Sequence, residues 1–177
     1  MADADLPPLI LLIDADTAVH ELATTALGSE GAVLGARSAA LAAKIAAKRP
    51  PAVVVVDDEV ADSTPEAVVT ELRGTSPHLR AIVTTRSREP EHTARLTTLG
   101  PVLVKPLDAE RLRATVRAAL RLRSMAAGVE RMKTGEFKAP ESRRVPTRRE
   151  PAMAARRERS EATNPTDSPP DRSSDKD

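Results

Sequence analysis

Short apolar runs alternate with helix-length amphipathic stretches along the first 125 or so residues of the chain. Residues 9–13 (LILLI) and 53–56 (VVVV) are continuous apolar runs, which are typical of strands buried on both faces of a sheet. Three weaker runs, at residues 32–34, 81–83 and 102–104, bring the number of predicted strands to five. The pattern predicts a parallel sheet that is covered by helices.

Between these runs, apolar residues recur at intervals of three and four, as they do on one face of a helix. Val19, Leu22 and Leu27 mark such a face early in the chain, and Leu112 and Val116 mark one near its end. Residues that can cap a helix stand before three of the stretches: Ser38, Thr64 and Asp108. Five strands that alternate with five helices predict an α/β fold, a doubly wound parallel sheet of flavodoxin-like order 2-1-3-4-5 with helices on both faces.

The composition divides the chain into four segments. We expect an N-terminal arm at residues 1–7, one folded domain at 8–125, a helical extension at 126–135 and a disordered polar tail at 136–177. The tail is rich in proline and charged residues, and it holds too few apolar side chains to offset the entropy of ordering. It shows no helix-turn-helix pattern, so we do not expect a transcription factor of the ordinary kind.

Charge and cysteine content narrow the classes of function. The net charge is +1, from 27 basic and 26 acidic side chains, so no overall field draws the protein to nucleic acid or to a membrane. Cysteine is absent, which removes disulfides and thiolate metal sites and suits a reducing compartment. Without a signal-peptide pattern or a run long enough to cross a bilayer, a cytoplasmic protein is expected.

Polar residues follow four of the five predicted strands at the point where each ends. The carboxyl ends of parallel strands meet at one edge of a sheet, where functional residues of such folds gather. Clustered carboxylates can hold Mg²⁺, and a carboxylate, a lysine and a hydroxyl together suit phosphoryl transfer to the carboxylate. The residues at these ends are Asp14, Asp16, Asp57, Asp58, Glu59, Thr84, Thr85 and Lys105.

Four stretches resemble the receiver domains of two-component signalling systems, the CheY-like response-regulator family. They are residues 9–16 (LILLIDAD), 51–58 (PAVVVVDD), 81–85 (AIVTT) and 102–108 (VLVKPLD). Each stretch alone is a weak signal, but the four occur in order and at nearly the usual spacing. The resemblance covers roughly residues 8–123.

The resemblance implies a role for each matching residue. Asp57 corresponds to the aspartate that accepts the phosphoryl group, and Lys105 to the lysine that contacts it. Thr85 matches the hydroxyl residue, although its neighbour in the sequence is also a threonine. Magnesium would be held by Asp14, Asp57 and the backbone carbonyl of Glu59. The family also has a proline after the lysine, joined to it by a cis peptide bond, and residue 106 is a proline.

Several positions depart from the family pattern. Ala15 stands where the second member of the acidic pair normally ligates the metal, so the magnesium site should be weakened. Asp16 is a further candidate ligand, but its position also suits the start of the first helix. Asp58 replaces an apolar residue, Arg86 a small residue and Val102 an aromatic residue, so ordinary switching is in doubt. The segment before the lysine also looks two residues short.

The favoured function is that of a single-domain response regulator, which accepts a phosphoryl group from a sensor histidine kinase or a phosphotransfer protein. Its output would be contact with a downstream protein of unknown identity, and it would not be an enzyme beyond slow autodephosphorylation. The alternative is a pseudo-receiver, an interaction scaffold with weak or no phosphorylation. A flavodoxin-like domain of unrelated use is disfavoured because no glycine-rich turn follows the first strand. The three histidines lack partners at metal-ligand spacing and are expected at the surface.

Overall fold

The structure, a computed structural model, describes residues 6–133 of the chain. Within them, five strands alternate with five helices from beginning to end. The strands are β1 (Leu9–Ile13), β2 (Ala32–Ala36), β3 (Val53–Asp57), β4 (Arg80–Thr85) and β5 (Val102–Val104). The helices are α1 (Thr17–Leu27), α2 (Ala39–Lys48), α3 (Pro65–Thr75), α4 (Pro90–Thr97) and α5 (Ala109–Lys133).

The strands form one parallel sheet in the order β2-β1-β3-β4-β5, which confirms the predicted topology. Every residue of β1 and β3 is buried, because helices cover both faces of these central strands. Burial of one valine or leucine side chain stabilises a fold by roughly 1.5–3 kcal/mol, so these two runs are the strongest local determinants of the sheet.

Alternate residues of each strand face two separate cores. Val53 and Val55 of β3 pack with the apolar faces of α1 and α5, whereas Val54 and Val56 pack with those of α2 and α3. Helix α4 belongs to the second core through Leu96, its only fully buried side chain. A side chain at a strand end therefore lies on the α1/α5 face or on the α2/α3/α4 face according to its place in the pleat.

Helix starts follow the capping residues that the sequence predicts. The side chains of Ser38 and Thr64 accept hydrogen bonds from backbone N–H groups of α2 and α3, as expected. Asp108 caps α5 in the same way, by accepting from the N–H of Arg111 at 2.7 Å. Helix α4 lacks such a cap, since Glu89 makes no side-chain bond to its first turn.

The turn before β5 is short because a glycine lets two backbones approach each other. A Cβ placed on Gly100 would lie 2.0 Å from the carbonyl oxygen of Ala81, so any other residue would displace the turn.

After β5, helix α5 continues to Lys133, and four apolar side chains beyond the sheet are exposed: Leu122, Met125, Val129 and Met132. The expected tail at 136–177 and most of the expected N-terminal arm lie outside the described residues.

No helix within residues 6–133 has both the length and the apolar character that crossing a membrane requires.

Candidate functional site

The ends of β1, β3 and β5 bring three predicted site residues together on the α1/α5 face of the sheet. The ammonium group of Lys105 lies 2.7 Å from Oδ2 of Asp14 and 2.9 Å from Oδ1 of Asp57. We call these three residues the Lys105 cluster. The peptide bond from Lys105 to Pro106 is cis, as the resemblance implies.

The Lys105 cluster is buried, and burial governs its protonation. The side chain of Lys105 is 6% exposed, and those of Asp14 and Asp57 are 1% and 7% exposed. Burial raises the pKa of Asp57 above its ordinary value, and the charges of Asp14 and Asp58 act in the same direction, against the hydrogen bond from Lys105. Burial opposes the charged form of Lys105, but its hydrogen bonds to the two carboxylates outweigh this, and its pKa is raised.

The two threonines at the end of β4 face opposite sides of the sheet. Thr84 is fully buried and its hydroxyl lies 3.4 Å from Oδ1 of Asp57. The hydroxyl of Thr85, the residue that matches the family position, donates instead to Oδ2 of Asp58 at 2.6 Å. No hydrogen bond joins Thr85 to Asp57 in residues 6–133. The alternation of the pleat accounts for this, because positions 57 and 84 are register partners and position 85 lies one residue further on.

A second group of side chains lies at the same edge on the α2/α3/α4 face. Nε2 of His92, in the first turn of α4, is 2.7 Å from the same Oδ2 of Asp58 that accepts from Thr85. We call Asp58, Thr85 and His92 the Asp58 cluster. The other carboxylate oxygen of Asp58 is buried without any hydrogen-bond partner among the described residues. Sequence reasoning missed this group, since His92 was expected to be a surface residue without a role.

The remaining acidic residues do not join the Lys105 cluster. Asp16 caps α1 by accepting from the N–H of Ala18 at 2.9 Å, and it pairs with Arg86 at 3.5 Å. Arg86 also pairs with the exposed carboxylate of Glu59 at 3.6 Å. Ala15 is exposed and contributes no ligand through its side chain. The candidate metal ligands among side chains are thus Asp14 and Asp57, while Asp16 is occupied with the helix end.

These donors fit a hydrated magnesium ion, with one carboxylate fewer than the resemblance implies. Mg²⁺ is often held by one or two carboxylates and keeps several of its waters. Oδ2 of Asp57 accepts no hydrogen bond from the described residues and is free to act as a ligand. No group of three or more histidine, aspartate or glutamate side chains in residues 6–133 is arranged to hold a metal ion.

Space for a reaction partner lies beside the Lys105 cluster. A cavity of about 570 Å³ opens between α1 and the loops that follow β4 and β5. Its wall is apolar along Val19, Leu22 and Leu107, and its charged lining residues are Asp16, Arg86, Arg88 and Lys105. An anionic group carried on a protein side chain could approach Lys105 along this path.

Similar solved structures show which fold this is. No protein-family model matches the sequence, and no curated protein matches it. Three solved structures that it resembles are the signal receiver domain of an HD domain-containing protein from Pseudomonas fluorescens Pf-5, a response regulator receiver domain protein from Clostridium thermocellum and a CheY-like one from Methanospirillum hungatei JF-1.

The likeness spans most of the chain and nearly all of each neighbour. The TM-scores are 0.63, 0.59 and 0.60, and the sequence identities are 20%, 20% and 18% in the same order. The matches cover 72%, 67% and 68% of this chain and 97%, 98% and 98% of the respective neighbours. At these identities the comparison establishes the fold, which is that of response-regulator receiver domains.

Proposed function

We propose that this receiver-domain fold serves a response regulator in two-component signalling, with Asp57 as the residue that accepts the phosphoryl group. The observation that carries the proposal is the position of Lys105. Its ammonium group, at the end of β5, contacts the carboxylates of both Asp14 and Asp57, which lie at the ends of β1 and β3. The donor would be a sensor histidine kinase or a phosphotransfer protein. The phosphorylated form would then act by contact with a downstream protein.

The chemistry follows from the Lys105 cluster. A carboxylate oxygen of Asp57 attacks the phosphorus of a phosphohistidine, the P–N bond breaks, and the electron pair returns to the imidazole nitrogen, which takes up a proton. An acyl phosphate is formed on Asp57. Lys105, held charged by its two carboxylate partners, offsets the negative charge on the transferred oxygens. Asp57 is a stoichiometric acceptor, and slow hydrolysis would return it to the free carboxylate.

Asp14 and Asp57 would hold the magnesium ion, together with the backbone carbonyl of Glu59. When bound, Mg²⁺ supplies positive charge that draws the donor phosphate in and offsets charge on its oxygens. The proposal treats this site as weakened, because Ala15 supplies no ligand and Asp16 caps α1 instead.

The same deficit favours a second candidate function, that of a pseudo-receiver. In this alternative the fold is an interaction scaffold, and Lys105 stays paired with Asp14 and Asp57 as a structural ion pair. Retention of an acceptor, a hydroxyl and a lysine at the matching positions supports the first candidate over the second.

The two candidates are separated by phosphorylation with a small phosphodonor. The protein is incubated with acetyl phosphate and Mg²⁺, and phosphorylation is followed by intact-mass spectrometry on wild type and on Asp57→Ala. We expect an adduct of one phosphoryl group on wild type only, which alkali and hydroxylamine both remove, as an acyl phosphate requires. Absence of the adduct from wild type at saturating Mg²⁺ would leave the scaffold as the better candidate, and an equal adduct on Asp57→Ala would exclude Asp57 as the acceptor.

A further inference from the structure

A second cavity, of about 280 Å³, lies at the amino-terminal edge of the sheet, where β1 begins. Its wall is formed by residues 6–9, by the end of α2 with the turn that leads to β3, and by Arg123 of α5. The length of β1 separates it from the Lys105 cluster by roughly 15 Å, because a strand rises by about 3.3 Å per residue. This cavity is therefore distinct from the site of the proposed phosphoryl transfer.

The charged side chains that line this cavity are all basic. They are Lys48 and Arg49 at the end of α2 and Arg123 of α5, and we call these three residues the Arg123 cluster. Arg80 lies beside them, since its guanidinium group donates to the carbonyl oxygen of Leu122, the residue before Arg123, at 3.5 Å. Four cations thus gather at one edge of a domain in a chain whose net charge is only +1.

The hydrogen bonds that these side chains make do not offset their charge. Arg49 donates to the backbone carbonyl of Pro7, and Arg80 to that of Leu122, so both acceptors are neutral. Within residues 6–133, no carboxylate forms an ion pair with any of the four cations. The Nε atoms of Arg80 and Arg123 are also buried without a hydrogen-bond partner among the described residues, which makes the uncompensated charge more costly.

The end of α2 explains only part of this charge. A helix C-terminus favours cations, and Lys48 lies in the last turn of α2. Arg80 begins β4 and Arg123 lies in the interior of α5, so neither stands at a helix end. Glu30, in the turn before β2 at the same edge, is already paired with Arg117. The remaining positive charge therefore favours an anion that is not part of the described residues.

We propose that the Arg123 cluster binds a phosphate group. Guanidinium groups present paired N–H donors that match the oxygens of phosphate, and the ammonium of Lys48 adds a further donor. The cavity is at the small end of the range for ligand sites, which suits one or two phosphoryl groups. Its apolar wall, which includes Pro8 and Ala52, strengthens the attraction between charges by keeping water away. A soluble compound and a lipid headgroup both carry this group, and the site does not depend on phosphorylation of Asp57.

The test is isothermal titration calorimetry of the full chain with sodium pyrophosphate, at constant ionic strength and with EDTA to remove Mg²⁺. We expect a Kd below about 1 mM for wild type, and a Kd about five- to tenfold higher for Arg123→Gln, which loses the charge and the paired donors. Arg121→Gln is the matched control, because it makes the same change at an exposed position of the same helix. Equal losses in the two variants would assign binding to the general charge of α5 and overturn the proposal.

Thermal unfolding supplies a readout that a merely structural role of Arg123 would not move. Pyrophosphate at about ten times its Kd should raise the Tm of wild type by about 5 °C and that of Arg123→Gln by less than half as much. Arg49→Gln should weaken the binding in the same way, from the other side of the cavity. If wild type shows neither heat of binding nor a rise in Tm well above the expected Kd, the site does not exist as proposed.

Two further arms identify the source of the phosphate. Cosedimentation with phosphatidylglycerol vesicles, but not with phosphatidylcholine vesicles, that Arg123→Gln abolishes would assign it to a lipid headgroup. Binding of pyrophosphate without vesicle binding would assign it to a soluble compound. A hexaglutamate peptide that binds more tightly than pyrophosphate would overturn the proposal in favour of an acidic protein segment.

The chain itself contains a competing pair of carboxylates, since Asp3 and Asp5 shortly precede Leu6 of the cavity wall. If the Arg123 cluster takes a phosphate group, the double substitution Asp3→Asn and Asp5→Asn should change the Kd for pyrophosphate by less than about threefold, as expected of charges outside the site. Binding that is found only in this double variant would assign the cluster to these carboxylates and overturn the proposal.

Discussion

The Lys105 cluster and the Asp58 cluster lie at the same edge of the sheet but differ in how their charges are satisfied. In the first, two buried carboxylates share one ammonium, so the group carries an excess of negative charge. In the second, one oxygen of the carboxylate accepts from two donors, and the other has no partner within residues 6–133. The basic group of the first, Lys105, is 6% exposed, whereas that of the second, His92, is 27% exposed.

The difference shows how two neighbouring carboxylates can enter different surroundings in this fold. Asp57 and Asp58 are neighbours in the sequence and chemically identical. They lie on opposite faces because successive side chains of a strand point in opposite directions. One consequently meets Lys105 on the α1/α5 face, and the other meets His92 of α4. If the two faces differ in energy as they do in geometry, loss of a partner should cost more free energy of unfolding in the Lys105 cluster than in the Asp58 cluster.

The largest effect is expected for Lys105→Met, which removes the only cation of the Lys105 cluster and keeps most of the length of the side chain. Loss of one partner from a buried ion pair costs about 3–5 kcal/mol, because the remaining charges are left buried and unpaired. We expect the free energy of unfolding at pH 7 to fall by about 3 kcal/mol, as measured by urea denaturation. On the other face, His92→Ala should cost about 1 kcal/mol, the value of an ordinary hydrogen bond.

The control for Lys105→Met is Lys44→Met on the exposed face of α2, where the free energy of unfolding should change by no more than about 0.5 kcal/mol.

The raised pKa of Lys105 fixes the direction in which the free energy of unfolding depends on pH. Its stabilising contribution is present below the ordinary lysine value of 10.5 and is lost as the pH rises through the higher value in the fold. Equal costs for Lys105→Met and His92→Ala at pH 7 would contradict the distinction between the two faces.

A smaller effect, on the affinity for Mg²⁺, is expected at Ala15, the position at which the resemblance places a further metal ligand. Ala15→Asp adds a carboxylate at an exposed position next to Asp14, so it should strengthen Mg²⁺ binding without disturbing the core. We expect the Kd for Mg²⁺, measured by isothermal titration calorimetry, to fall about tenfold, which equals about 1.4 kcal/mol. Ala47→Asp, at an exposed position of α2 near the other end of the sheet, supplies the same charge as a control. An unchanged Kd in Ala15→Asp would show that the missing carboxylate is not what limits metal binding.

The sequence was sufficient to predict the fold and the Lys105 cluster because both depend on strong, local signals. The apolar runs of β1 and β3 predict central strands, and the strand ends then bring Asp14, Asp57 and Lys105 to one edge, as the structure has them. Ser38 and Thr64 each cap the helix expected of them. The alternation of elements and the rule that parallel strands end together predict the edge, and the resemblance to receiver domains selects these three residues from the eight at the strand ends.

The Asp58 cluster could not be predicted from spacing alone. Which of Thr84 and Thr85 faces Asp57 depends on the register of β3 against β4, and a shift of one residue would exchange them. His92 reaches Asp58 only because α4 begins at Pro90, a helix start without a side-chain cap to mark it. Two signals were available: Pro90, which suits the first position of a helix, and Asp58, an ionisable residue where receiver domains have an apolar one and which therefore needs a buried partner.

The smallest effects on stability are expected at Asp57 and Asp62, two carboxylates whose pKa values are shifted in opposite directions. Burial raises the pKa of Asp57, whereas hydrogen bonds from the N–H groups of Ala39 and Ala40 lower that of Asp62. For Asp57, ionisation in the fold is unfavourable, so stability is lost as the pH rises from the ordinary value of 3.8 through the higher value in the fold. For Asp62, stability is present above 3.8 and is lost as the pH falls through its lower value in the fold.

Asp57→Asn should therefore raise Tm at pH 7, and Asp62→Asn should lower it. For Asp57 we expect a gain of about 1 kcal/mol or less, equivalent to roughly 4 °C for a domain of this size, measured by calorimetry. The gain should vanish below pH 3.8, where the aspartate is protonated in both the folded and the unfolded state. A fall in Tm for Asp57→Asn at neutral pH would mean that Lys105 offsets the burial of both carboxylates. The Lys105 cluster would then be a stabilising ion pair, as the scaffold alternative requires, and not a site whose excess negative charge lowers the stability of the fold.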